Sequence, residues 1–175
     1  MKVKIKQRMS YDDDCVICGG NNPAGIGAEF YETEDGRVLC VFTGKSIHRS
    51  FPHTMHGGMS AAILDDSMGR TIQLSKPELW GLTVDMHITY KKAVPYDETC
   101  FAVAELIEEG EKIYSSKGYI ILPNGEIAAT AEGKFFKVDN DYLCKCIDDP
   151  SLYHLNEQCP YPEYIELPQI VSKKS

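Results

Sequence analysis

The chain has 175 residues, 43% hydrophobic and 25% charged, the proportions of one ordinary globular unit and not of a disordered chain. Its net charge of −8 argues against a general nucleic-acid binder, which needs a basic footprint. No apolar run approaches the ~18 residues of a membrane span, and the basic residues of the opening MKVKIKQRMSYDDD have no apolar core behind them, as a secretory signal would. An odd count of seven cysteines without an export signal points to the reducing cytosol.

In chain order, residues 1–26 read as an irregular lead-in that ends in a Gly/Asn/Pro cluster. Within it Cys15 and Cys18 form a C-x-x-C pair. With Cys144, Cys146 and Cys159 they are compatible with a four-thiolate zinc site if the two ends of the chain meet. The glycine-rich CVICGGNNPAGIG segment reads better as a turn, and no metal is expected. Residues 27–34 and 37–43 flank Asp35-Gly36, a strong hairpin signal, and Cys40 and Cys100 fall in apolar strand patterns as packed thiols.

After a loop, KSIHRSFPHTMHGG, residues 57–74 carry a helical pattern. Ala61, Leu64, Met68 and Ile72 recur at three- and four-residue spacing, Met59, Ala62 and Ile63 broaden the stripe, and Pro77 is a stop. The period then becomes two. In residues 82–90, Leu82, Val84, Met86, Ile88 and Tyr90 alternate with Thr83, Asp85, His87 and Thr89. Residues 99–107, 112–122 and 125–137 read as further strands, separated by turn signals at Glu109-Gly110 and Pro123-Asn124-Gly125. Residues 138–175 read as an irregular acidic tail with at most one short helix. The expected architecture is α+β: one domain over 27–137, with an antiparallel sheet wrapped around a long central helix.

The chemistry concentrates in residues 53–70. His56-Gly57-Gly58 opens the helix, where free backbone N–H groups and missing side chains suit a carbonyl that becomes an oxyanion. The competing reading is a tight entry turn. Asp65 borders small and apolar residues, a placement that favours a raised pKa and work as a base or nucleophile. Asp66 has Arg70 four residues on and reads as a solvated ion pair. Thr83, His87 and Thr89 share the polar strand face, and Lys91-Lys92 at its end are candidate phosphate contacts. The histidines show no metal-ligand spacing.

Three segments together resemble the hotdog-fold acyl-CoA thioesterases of the phenylacetate-pathway (PaaI) and Arthrobacter 4-hydroxybenzoyl-CoA type. HGGMSAAILD matches the His-Gly-Gly motif with an acid nine positions after the histidine. GLTVDMHITYKKAVP matches the strand that follows it. CVICGGNNPAGIG with HRSFPHTMHGG matches one subgroup. The resemblance covers residues 15–137. It implies a homodimer or homotetramer with active sites at the interface, and acyl-CoA as substrate with no separate cofactor. It makes Asp65 the base or nucleophile and the Gly57 N–H of the other subunit the carbonyl-polarising group. His56 would support the loop, and Thr83 would position Asp65 or water. Two departures stand out: Ser50 lies where relatives carry a water-orienting Asn or Gln, and His53 where they carry Gly. A non-catalytic hotdog protein that binds or senses acyl-CoA is the alternative, but it has no need of a carboxylate beside the carbonyl.

Overall fold

Helix α1 (Gly57–Gly69) starts after His56, which is still extended and whose Nδ1 accepts the Gly58 N–H at 2.9 Å, a side-chain N-cap. Its apolar stripe enters the core: Ile63, Leu64, Met68 and Ile72 are fully buried, each contributing about 1.5–3 kcal/mol by area. The expected helix over 57–74 divides, because Arg70–Leu74 tightens into a 3-10 turn. There Thr71 Oγ1 donates to the Met68 carbonyl at 2.8 Å and lies 2.6 Å from the Ser116 hydroxyl.

The computed structural model describes residues 1–139, 141–142, 145, 150–154 and 159–171. Its strands are β1 (Lys2–Arg8), β2 (Tyr11–Asp12), β3 (Glu29–Thr33), β4 (Val38–Thr43), β5 (Arg49–Phe51), β6 (Thr54–Met55), β7 (Leu79–Tyr90), β8 (Thr99–Glu109), β9 (Ile113–Ile121), β10 (Ile127–Asp139), β11 (Tyr153–His154) and β12 (Tyr164–Glu166). Among the described residues the main sheet runs β12-β1-β3-β4-β8-β9-β10-β7, with every neighbouring pair antiparallel. One face packs on α1. The main core joins the helix stripe to Phe30, Cys40, Phe42, Cys100, Ile120 and Phe135, so Cys40 and Cys100 are the packed thiols expected. No helix among the described residues is long and apolar enough to cross a membrane.

Two expectations about the ends are corrected. The lead-in is not irregular throughout: β1 joins the main sheet, with Val3 and Ile5 buried while Lys2 and Lys4 face solvent. The period-two alternation of apolar and charged residues is the physical cause. The tail is not irregular throughout either. β12 pairs with β1, and Leu167 then packs with Val3, Ile5, Tyr31, Leu39, Val103 and Ile121 on the face opposite the helix. The strap continues until the Val171 N–H bonds the Gly125 carbonyl at 3.0 Å. Gly125, at φ +83°, admits it because a Cβ there would lie 1.9 Å from the Gln169 carbonyl oxygen.

The expected solvated pair of Asp66 with Arg70 is a third correction. Arg70 is 5% exposed. Its guanidinium contacts Asp66 at 3.2 Å, donates to the Ser10 carbonyl at 2.6 Å and lies 4.2 Å from the Phe30 ring centre. The spacing correctly paired the two residues, but segments around Ser10, Cys18 and Phe30 then close over that flank of the helix. Removing one partner of such a pair strands the other charge. Arg70→Met is therefore expected to lower unfolding free energy by about 3 kcal/mol in urea titrations; a loss within the ~0.5 kcal/mol of a surface pair would contradict this burial.

Candidate active site

Asp65 and Thr83 meet directly: the Thr83 hydroxyl donates to Asp65 Oδ1 at 2.6 Å. Thr83 comes from β7, which runs beside α1 at the edge of the sheet. Half-burial pushes the Asp65 carboxyl above the usual carboxylate range. The Thr83 hydrogen bond opposes the shift and the Asp66 charge adds to it. Oδ2 is left to take a proton or to attack. Gly69, one turn after Asp65, does not leave room for a ligand despite its missing side chain. A Cβ there would meet Phe135 and the Gly81 carbonyl oxygen at ordinary contact distance.

At the other end of the helix, Ser50, Gly57, Tyr90, Lys91 and Lys92 line one open cleft of about 400 Å³. The first helical N–H groups have no acceptor within the helix. His56 occupies that of Gly58, and those of Met59 and Ser60 reach the His56 carbonyl, so the Gly57 N–H has no acceptor among the described residues. Tyr90, at the end of the strand alternation, donates its hydroxyl to the Gly57 carbonyl at 3.1 Å and so ties the edge strand to the first residue of the helix. Lys92 is ion-paired with Glu126, whereas Lys91 is exposed and has no ion pair among the described residues.

The structure thus divides the expected site residues into two groups. Ser50, His56, Gly57, Lys91 and Lys92 gather at the helix N-terminus, and Asp65 with Thr83 lies further along. Asp65 is eight residues after Gly57, so their backbones are ~12 Å apart along the axis. Within one chain they cannot both address one carbonyl group.

Residues 53–115 match the family model described as the thioesterase superfamily. The segment holds the helix, the Asp65–Thr83 pair and the lysines. The segment is similar to the thioesterase superfamily, and the fold is the hotdog fold. Acyl-coenzyme A thioesterase THEM4 of Rattus norvegicus is 28% identical over 121 residues, 67% of this chain and 51% of that protein. The chain therefore spans about half the length of this curated relative. The hotdog domain also superimposes on Escherichia coli PaaI, from the phenylacetic acid degradation operon, with TM-score 0.58, 15% identity and coverage of 65% and 80% of the two chains. A Bacillus halodurans protein solved with coenzyme A gives TM-score 0.56 and 27% identity, with coverage of 64% and 74%.

The departures have structural consequences in this hotdog domain. His53 adopts φ +60°, where glycine is unstrained, and its ring stacks 6.0 Å from that of Tyr96. Ser50 is exposed on β5 at the cleft. The C-x-x-C segment forms a turn, with the Gly19 N–H on the Cys15 carbonyl at 2.9 Å. Sulfur and carboxylate atoms of Cys15, Cys18 and Asp66 lie within 4.8 Å of one another. Cys144 and Cys146, weighed as zinc ligands, lie outside the described residues.

The raised Asp65 pKa has a stability consequence. The folded chain holds this proton more tightly than the unfolded chain, so the group stabilises the fold fully below its unfolded pKa, and the contribution is lost as pH rises through the folded pKa. Asp65→Asn keeps an acceptor oxygen for Thr83 and cannot ionise. Its melting temperature relative to the parent is expected to rise as pH increases through and above the ordinary carboxylate range. An offset independent of pH would show that burial does not strain the carboxylate.

Proposed function

We propose that this protein hydrolyses acyl-CoA thioesters to the free acid and coenzyme A, at sites that two copies complete. A half-buried carboxylate held by a threonine, ~12 Å along the helix from an unoccupied N-terminal N–H, is the observation that carries this reading. Among the described residues strand β7 ends the sheet and leaves a long unpaired edge, the kind of edge a second copy covers. Antiparallel pairing of β7 with itself, centred near His87, brings the Thr83 end of one strand alongside the Tyr90 end of its partner. Each Asp65 then comes to the cleft that holds Gly57 of the partner subunit.

At such a site the Gly57 N–H of the partner subunit polarises the thioester carbonyl and stabilises its oxyanion. Asp65 acts on the same carbon, as base towards water or as the attacking carboxylate, with Thr83 positioning it. Collapse of the tetrahedral species expels the CoA thiolate, and water supplies the acid's hydroxyl. His56 supports the N-terminal turn and Ser50 faces the bound substrate. Lys91 contacts the nucleotide phosphates. Lys92, already paired with Glu126, does so less. No further cofactor takes part. Dimers or tetramers and a cytosolic location complete the reading, which the free thiols Cys15, Cys18, Cys40 and Cys100 suit.

Two inactive variants test the composite site. Asp65→Asn is expected to lower kcat by ~100-fold or more, and Asp66→Asn to cost stability rather than turnover. Gly57→Pro removes the N–H at the first helical position, where proline is tolerated after the extended His56, and is expected to cost ~100-fold or more. Mixed dimers of these two variants should regain one working site. Failure of the mixture, or full turnover by Asp65→Asn, would overturn the reading, and acyl-CoA binding without turnover by the parent would make the protein a binder.

Lys91→Ala is expected to raise KM for acyl-CoA about fivefold with kcat unchanged, because the phosphate contact is the same in ground and transition states. An equal loss with a short thioester lacking CoA would contradict that placement.

A further inference from the structure

The C-x-x-C turn lies on the opposite flank of α1 from the thioester site and takes no part in the chemistry above. Its two sulfurs differ in environment. Cys15 is half-buried, and its sulfur accepts the backbone N–H groups of Ile17 and Cys18, each at 3.3 Å. Cys18 is 6% exposed, with its sulfur 3.6 Å from an Arg70 guanidinium nitrogen. The two sulfurs are at most 4.8 Å apart, a gap that side-chain rotation can close in a turn of this spacing. Gly19 is required for the turn, since a Cβ there would lie 2.3 Å from the Asp13 carbonyl oxygen.

The third donor nearby, Asp66, is already taken. The Arg70 guanidinium contacts both of its oxygens, at 3.2 and 3.4 Å, and reaches the Cys18 sulfur as well. A fixed cation thus stands where a metal ion would have to be, and it favours negative charge on sulfur without coordinating it. Two N–H groups on one sulfur and a guanidinium on the other are the surroundings of a reactive thiol pair.

We propose that Cys15 and Cys18 form a redox-active dithiol that low-molecular-weight disulfides oxidise, with Cys15 as the attacking thiol and Cys18 as the resolving thiol. The Cys15 thiolate attacks one sulfur of the reagent. A Cys15–reagent bond forms, the reagent's S–S bond breaks and one thiolate leaves. Cys18 gives its proton to water, and its sulfur, steadied by Arg70, attacks the Cys15 sulfur and expels the second reagent thiolate. Two electrons pass from the protein to the reagent, which ends as two thiols. The hydrogen bond from the Cys18 thiol, helped by the backbone N–H groups and opposed by burial, holds the Cys15 pKa down to about 6, while Cys18 is pushed up. Cys15 is therefore the thiol ionised at neutral pH. Closing the bridge draws Cys18 away from Arg70, whose other partner, Asp66, adjoins Asp65 on the helix.

The test needs no thioesterase activity, so its failure is distinguishable from failure of that reading. The full chain is reduced, freed of reductant, treated with oxidised glutathione and mapped by peptide mass spectrometry. A Cys15–Cys18 bridge is expected in the parent, a glutathione adduct stalled on Cys15 in Cys18→Ser, and no adduct on Cys18 in Cys15→Ser. Iodoacetamide should label Cys15 of the reduced parent about tenfold faster at neutral pH than it labels free glutathione, a readout that needs no variant to fold. Labelling no faster than glutathione, a bridge from Cys15 to another cysteine, or about one zinc per chain released by Cys15→Ser would each overturn the proposal.

Discussion

Tyr114 reaches from β9 to donate its hydroxyl to the Gly69 carbonyl at the end of α1, beside the backbone of Gly81 in β7. A Cβ on Gly81 would lie 1.9 Å from that hydroxyl, so helix, edge strand and tyrosine can meet only around a glycine. This close approach fixes the height of α1 over β7. The fully buried Leu64, Met68 and Phe135 fill the space beside it, and two residues along β7 the Thr83 hydroxyl comes within 2.6 Å of Asp65. A looser contact would separate the carboxylate from its donor and leave the half-burial of Asp65 uncompensated. The acid's position is thus set by the packing of helix, edge strand and tyrosine one turn beyond it.

Much of this was legible in the sequence because the signals are periodic and local. The stripe through Leu64, Met68 and Ile72 shows the helix, and alternation after Leu82 shows the edge strand; the shared face expected for Thr83, His87 and Thr89 is overturned, because the register shift that pairs Lys134 with Asp85 and Phe135 with Thr83 turns Thr83 to the helix and away from the face of Asp85. Glycines after His56 mark the helix entry. What escaped is non-local. Spacing pairs Asp66 with Arg70, but only the distant Ser10 and Phe30 decide that the pair is covered. Three-residue β12 is too short to show a period, and its partner β1 lies at the other end of the chain. The Tyr90 hydroxyl on the Gly57 carbonyl depends on how strand and helix cross, which no pattern within either segment encodes.

Two adjacent aspartates take different roles through which flank of α1 each occupies. Asp65 faces the edge strand and a neutral hydroxyl, so burial works against its charge. Asp66 faces an arginine with no exposed alternative, so its charge is matched in place. The first arrangement holds a group ready to change protonation, and the second holds a covering segment to the helix. One helix therefore carries a flank where burial opposes charge and a flank where charge is paired, and the Cys15–Cys18 turn lies on the latter.

The strap that follows β12 bears on the order of folding. Lys2 stands opposite Glu166 and Val3 opposite Ile165, contacts that close nearly the whole chain into one loop. Loop-closure entropy makes such contacts late events, rewarded only after the nearer strands have assembled. Hairpins such as β3–β4 and β9–β10 can form first and offer Tyr31, Leu39, Val103 and Ile121 as a landing surface for Leu167. Until then that apolar face is open to water and to other nascent chains, so a species lacking the strap is the stage most exposed to aggregation. Substitutions that weaken the Leu167 anchor would then chiefly speed unfolding and leave the folding rate nearly unaltered, the mark of an interaction absent from the transition state.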